Sequence, residues 1–253
     1  MKMRVFQDSW TMFKRCLMAT LRNPDAFAAA IIAPACVMFL FGTIFGNVMD
    51  VGYVNYIDFI VPGIVLQTVA QGTMSTAISV NNDLHKGIID RFRSMPIAKS
   101  AVLNGRVLSS VLLNVITTAV VIGVAIAIGF RPQAGILEWL LAAGVFILFM
   151  FALTWISVIA GLVAKAPEGT QGMLFLLFIL PFLSSGFVPT ESLPNWMRGF
   201  AEHQPMTPII DATRALFLGE APGDALPIAL IWGAGLTVIA AVISVQIYKR
   251  KTL

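Results

Sequence analysis

The sequence predicts an all-α integral membrane protein with six transmembrane helices, both ends cytoplasmic, and an N-terminal amphipathic interfacial helix. Three observations carry this. Six windows contain no Asp, Glu, Lys or Arg: residues 26–49, 59–82, 107–130, 139–164, 169–190 and 225–248. Each is long enough to cross a bilayer, which takes about 20 apolar residues. Hydrophobic residues make up 58% of the chain and charged residues 12%, half the charge of an ordinary soluble domain. Finally, an inside N-terminus places fourteen of the seventeen cationic residues in inside segments, leaving only Arg131, Arg198 and Arg214 outside. That asymmetry sets the orientation. The chain reads as one domain over residues 1–253 in the plasma (inner) membrane.

Residues 4–22 come first. Phe6, Trp10, Phe13, Leu17 and Leu21 form one apolar helical stripe, with Asp8, Lys14, Arg15 and Arg22 off it. A basic amphipathic helix with aromatic residues on its apolar face lies in the headgroup plane. The alternative is a lead packed on other protein. Span one, about 26–46, carries Gly42 and Gly46 at the spacing that lets helices approach closely. Cys16 and Cys36 are expected to be free thiols.

Span two, about 59–80, carries Gln67, Gln71 and Ser75 four residues apart. Amides facing lipid are costly, so this line faces either neighbouring helices or a substrate path. Spans three (about 107–128) and four (139–162) are joined by Gly129-Phe130-Arg131-Pro132, a turn signal, and Trp139 reads as an interface anchor. Span five, about 169–188, contains Pro181, which predicts a kink or break. The outside segment 186–224 holds five prolines yet keeps Phe187, Trp196, Phe200, Ile209 and Phe217, so two short re-entrant helices are expected. Thr207-Pro208 reads as an N-cap and first-turn proline of the second, ending at Gly219. Span six is about 225–248, closed by Lys249, Arg250 and Lys251.

Chemistry of its own is not in evidence. No Gly-x-x-x-x-Gly-Lys-Ser/Thr loop occurs, two histidines stand far apart, and no ionisable group sits mid-span. The chain is therefore expected to be no enzyme, to hold no metal and no cofactor, and to bind no nucleic acid. Its energy would come from another polypeptide. The longest inside loop could receive it: Asp83–Met95 can form an amphipathic helix with Leu84, Ile88, Phe92 and Met95 on one stripe, ended by Pro96. The other reading is a loop whose charges only hold topology.

Four segments resemble the ABC type-2 exporter permeases, and the daunorubicin-resistance-type transmembrane subunits among them. These are Tyr56–Gly63 (YIDFIVPG), His85–Pro96 (HKGIIDRFRSMP), Gly186–Met197 (GFVPTESLPNWM) and His203–Gly219 (HQPMTPIIDATRALFLG). The resemblance implies a permease subunit of an ATP-driven exporter moving amphipathic drugs or lipid-like molecules out of the cell. It further implies a cytoplasmic ABC ATPase subunit carrying ATP and magnesium, and a second permease in a homodimer or related pair. A cytoplasmic coupling helix would comprise Asp83, Leu84, His85, Lys86, Gly87, Ile88, Arg91, Phe92, Arg93, Met95 and Pro96. The substrate path would pass near Gln67, Gln71 and Ser75. Competing readings are an exporter of lipid-linked polysaccharide and a non-transporting membrane scaffold.

Overall fold

The computed structural model describes residues 2–21, 24–45, 55–86 and 99–252. Within them the chain is helical, with α1 (Lys2–Leu21), α2 (Pro24–Phe45), α3 (Tyr56–His85), α4 (Lys99–Ile128), α5 (Ile136–Val163), α6 (Pro167–Ile179), α7 (Asn195–His203), α8 (Met206–Phe217) and α9 (Ala225–Thr252). Four of these, α3, α4, α5 and α9, are long and apolar enough to cross a membrane. The apolar stretches in α2 and α6 are shorter, Ala30–Ile44 and Pro167–Leu183.

The break expected in the fifth window is present. α6 gives way at Leu180–Leu183 to a 3₁₀ turn with Pro181 in its first positions. Proline has no amide hydrogen for the α-helical ladder, and the tighter turn dispenses with it. Downstream, α7 and α8 are the two short helices expected between Gly186 and Asp224. The start of α8 differs in detail from the expectation. The helix begins at Met206, and the Thr207 hydroxyl does not cap it but donates to the Ala201 carbonyl at the end of α7. Gly219 closes the element with a φ of +71°, a conformation glycine adopts without steric cost.

The arrangement has α3 at its centre. α4, α5, α6 and α2 surround it, α9 packs on α5, and α1 packs on α4. Contact between α3 and α5 is backbone-close: a Cβ on Gly161 would lie 2.6 Å from the Ala77 carbonyl oxygen. Asn81 then donates from Nδ2 to the carbonyls of Gly161 (3.1 Å) and Ala164 (2.7 Å), closing the last turn of α5. Gly42 of α2 faces Ile57 of α3, 3.2 Å from where a Cβ would stand. Gly46 falls outside the described residues.

α1 uses a face other than its aromatic stripe to join the bundle. Ser9, Met12 and Cys16 are buried, whereas Trp10 and Met18 are exposed. Trp10 stacks on Phe13 at 5.0 Å, and the Lys14 ammonium sits 5.4 Å from the Trp10 ring centre. Burial pushes the Cys16 thiol above its ordinary range, with Arg106 acting in the opposite sense. A protonated, covered thiol is chemically quiet.

Candidate functional site

The turn-rich segments singled out in the sequence converge on one end of α3. Pro62 lies inside α3, so the ladder loses its bond to the Asp58 carbonyl, one residue before Phe59. Arg214 of α8 bonds there, donating from Nε to the Phe59 carbonyl at 3.1 Å, while its guanidinium lies 3.8 Å over the Phe59 ring. The same group donates to the Asp211 carboxylate at 2.9 Å and to the Ser185 carbonyl. Ser185 in turn donates its hydroxyl to Asp211 at 2.6 Å. One cation therefore ties α3, the turn after α6, and α8. Arginine suits this because its fixed fork of donors satisfies several acceptors at once.

Around this node the backbones touch. A Cβ on Gly63 would fall 2.6 Å from the Gly186 carbonyl oxygen, so glycine is required at that crossing. The Tyr56 hydroxyl donates to the Phe187 carbonyl at 3.1 Å. Phe187 stacks on Phe182 at 4.5 Å and meets Phe41 of α2 at 5.2 Å. Gln204 secures the broken end of α6 by donating to the carbonyls of Leu180 and Leu183. The α4–α5 turn joins as well: Arg131 donates its backbone N–H to Asp58 at 2.9 Å, and Phe130 packs edge-on to Phe217 at 5.6 Å. Trp139 lies against Phe217 at 4.9 Å, a packed ring more than a free anchor.

Midway along α3, Gln67 is 5% exposed, Gln71 half-buried and Ser75 exposed. The Gln67 Oε1 is buried with no hydrogen-bond partner. Ser75 donates its hydroxyl back to the Gly72 carbonyl at 2.7 Å. Among the described residues, no hydrogen bond runs from this line to another helix. An amide held in low dielectric with an open acceptor is poised for an incoming donor.

At the other end of α3, Asp83, Leu84 and His85 form the last turn of the helix, and Lys86 caps it. His85 Nδ1 is 2.9 Å from the Asn81 carbonyl. Asp83 pairs with Arg106 of α4. Gly87, Ile88, Arg91, Phe92, Arg93, Met95 and Pro96 lie outside the described residues. Sequence reasoning assigned Arg106 only a topological charge and overlooked Asn81, Ser110 and Asn114. A signal was available: Arg106, Ser110, Asn114 and Thr118 recur every four residues, one polar line on a helical face. No grouping of three or more His, Cys, Asp or Glu suited to a metal occurs among the described residues.

Comparison with known proteins identifies a family. The profile of the "ABC-2 type transporter" family matches residues 7–218. A daunorubicin resistance ABC transporter permease protein of Streptomyces coeruleorubidus is 32% identical over 238 residues, covering 94% of this chain and 84% of the relative. A probable doxorubicin resistance ABC transporter permease protein of Mycobacterium tuberculosis is 27% identical, covering 93% of this chain and 86% of its own length. A putative transport permease of Cyanophora paradoxa is 23% identical over 224 residues. With its long apolar helices and its conjunction of the Tyr56–Gly63, Gly186–Met197 and His203–Gly219 segments, the chain belongs to the ABC-2 type transporter family.

Proposed function

We propose that the chain is the membrane subunit of an ATP-driven exporter of amphipathic drugs or lipid-like molecules. A separate cytoplasmic ATPase would energise it and a second permease would pair with it. The observation that carries the reading is the buried Gln67 Oε1, without a hydrogen-bond partner in the middle of α3, in a chain whose relatives bear drug-resistance names. On this reading the line of Gln67, Gln71 and Ser75 borders the path, offering a few polar contacts in an apolar surround. The segment Asp83–Met95 docks on the ATPase. All six apolar segments cross the bilayer, α6 with its 3₁₀ turn included, and both termini and the loops 81–106 and 163–168 lie inside.

The test is export of doxorubicin by inverted membrane vesicles containing the chain and its co-purifying ATPase. ATP-dependent uptake that Phe92→Asp or Ile88→Asp abolishes, with the protein still inserted, supports the reading. Normal export by either variant removes the docking role. Topology is checked by labelling from outside, which should reach a cysteine in place of Glu191 and miss one in place of Lys86.

A further inference from the structure

α5 and α9 run side by side in the same direction, and two hydroxyls fix their register. Thr237 donates to the Leu148 carbonyl at 3.4 Å and Ser244 to the Trp155 carbonyl at 3.1 Å. Both donors stand 89 residues after their acceptors, so the two helices are parallel. Gly233 allows the close approach, since a Cβ there would lie 3.0 Å from the Leu148 side chain. Ala240, Ser244 and Tyr248 continue this face of α9 and are buried. Lys251 comes next on the same face. It stands seven residues beyond Ser244, which sets it beside Leu162, seven beyond Trp155 and three short of Lys165.

Four cations therefore gather where α5 and α9 end: Lys165, Lys249, Arg250 and Lys251, all of them exposed. One acid, Glu168, lies in the same stretches of chain. Among the described residues, Lys165, Arg250 and Lys251 enter no ion pair. Cations near a helix C-terminus ordinarily serve its last carbonyls. At the end of α5, those of Gly161 and Ala164 already accept from Asn81. Like charges held at one seam repel each other unless an anion lies between them.

The apolar surface next to the cations selects the anion. Val238, Val242 and Lys249 share one outward line on α9, and Ile239, Ile243 and Arg250 share the next, each at spacings of four and seven. Val238, Ile239 and Val242 are 63%, 59% and 51% exposed, and Val163 at the end of α5 is 44% exposed. An exposed apolar wall thus runs straight into the basic cluster. A soluble anion or an acidic protein surface has no use for such a wall, whereas a phospholipid carries acyl chains and phosphate in that order.

We propose that the seam between the ends of α5 and α9 binds an anionic phospholipid. Its headgroup phosphate lies between Lys165 and Lys251, its acyl chains lie along the outward strip of α9, and Lys249 and Arg250 add to the attraction. The inference rests on the exporter reading for its topology, which sets this end of the bundle at the inner headgroup level.

The probes are phosphatidylglycerol and phosphatidylcholine, titrated into the purified chain in neutral detergent and counted by native mass spectrometry. The parent should prefer phosphatidylglycerol by about twentyfold, at about fivefold for each lysine beside an anionic headgroup. Equal binding of the two lipids would overturn the site. K165Q/K251Q should erase most of the preference, and K165R/K251R should keep it. K14Q/K86Q, which removes two exposed cations from α1 and α3, should leave it within about twofold. An equal loss in that control would reduce the site to diffuse surface charge and remove it. Inorganic phosphate in large excess should not compete; displacement by it would mean a soluble-anion site. If K165Q/K251Q binds phosphatidylglycerol like the parent but loses the co-purifying ATPase, these cations belong to a protein interface and the lipid site is wrong. Binding is read without ATP or export, so a parent that exports nothing counts against the exporter reading and leaves the lipid site to be decided by its own titration.

Discussion

α3 and α9 are both long enough to span a bilayer, yet they are opposites in composition and setting. In α3, 78% of the spanning window is buried inside the protein; in α9 the figure is 22%. The buried helix carries Asp58, two glutamines, two asparagines and Asp83, whereas α9 presents Ile231, Val238, Ile239 and Val242 outward. In a water-soluble protein the ranking would run the other way. Lipid is as apolar as leucine, so a membrane helix gains nothing by hiding leucine from it. What must be hidden are polar groups, and α3 is central because it holds them. The outer helix keeps a few polar fastenings of its own, Thr237 and Ser244 reaching the carbonyls of Leu148 and Trp155 on α5.

Substitutions can break or sharpen this contrast. The largest effect is expected at Arg214, whose removal strips α3 of a carbonyl partner and a ring contact and leaves Asp211 without its cation. Arg214→Ala should lower stability by about 1.5–3 kcal/mol, seen as a collapse of the monodisperse peak in heated detergent extracts. An unshifted melting profile would mean that α3 is held by packing alone. Next comes Gly63→Ala, which drives a methyl into the Gly186 backbone and should cost about 1–3 kcal/mol. Its counterpart on the outer helix, Gly235→Ala, has nothing within 4 Å of the new methyl and should melt with the parent. Equal losses at the two glycines would erase the distinction.

A smaller shift, in the other direction, is expected at Gln67. Replacing an unpartnered buried amide with a shape-matched apolar side chain relieves an unmet hydrogen bond. Gln67→Leu should therefore raise stability by about 1 kcal/mol while changing which compounds stimulate ATP hydrolysis. Destabilisation with an unchanged compound profile would assign the amide to packing. The smallest effect belongs to α9: Ile239→Ala, 59% exposed, should stay within about 0.5 kcal/mol of the parent.

Much of the architecture was legible in the sequence because charge-free windows and proline positions are strong, local signals. The break at Pro181, the two short helices after Gly186 and the close approach at Gly42 all follow from such cues. The Arg214 node was not legible. Two of its partners, Phe59 and Ser185, lie 155 and 29 residues away, and the local Asp211–Arg214 pair at i, i+3 reads the same on a solvated helix. Thr207 misled for a related reason: its hydroxyl had a tertiary acceptor in Ala201, which outcompeted the local cap. Asp83 opens the segment whose apolar stripe is Leu84, Ile88, Phe92 and Met95, and no local spacing showed that its carboxylate faces Arg106 of α4.

The separation between α3 and its partners has a consequence for biogenesis. The helix leaves the ribosome early, yet the groups that satisfy it are made later. Gly161 and Ala164, which accept from Asn81, follow by 80 and 83 residues, Phe187 follows Tyr56 by 131, and Arg214 follows Phe59 by 155. At ordinary synthesis rates the last of these delays is about 10–30 s. Through that interval α4, α5 and α6 join α2 around α3 one after another, while its Phe59 end still lacks the cation that closes it. The centre of the bundle is therefore completed from the His85 end of α3 first and from its Phe59 end last.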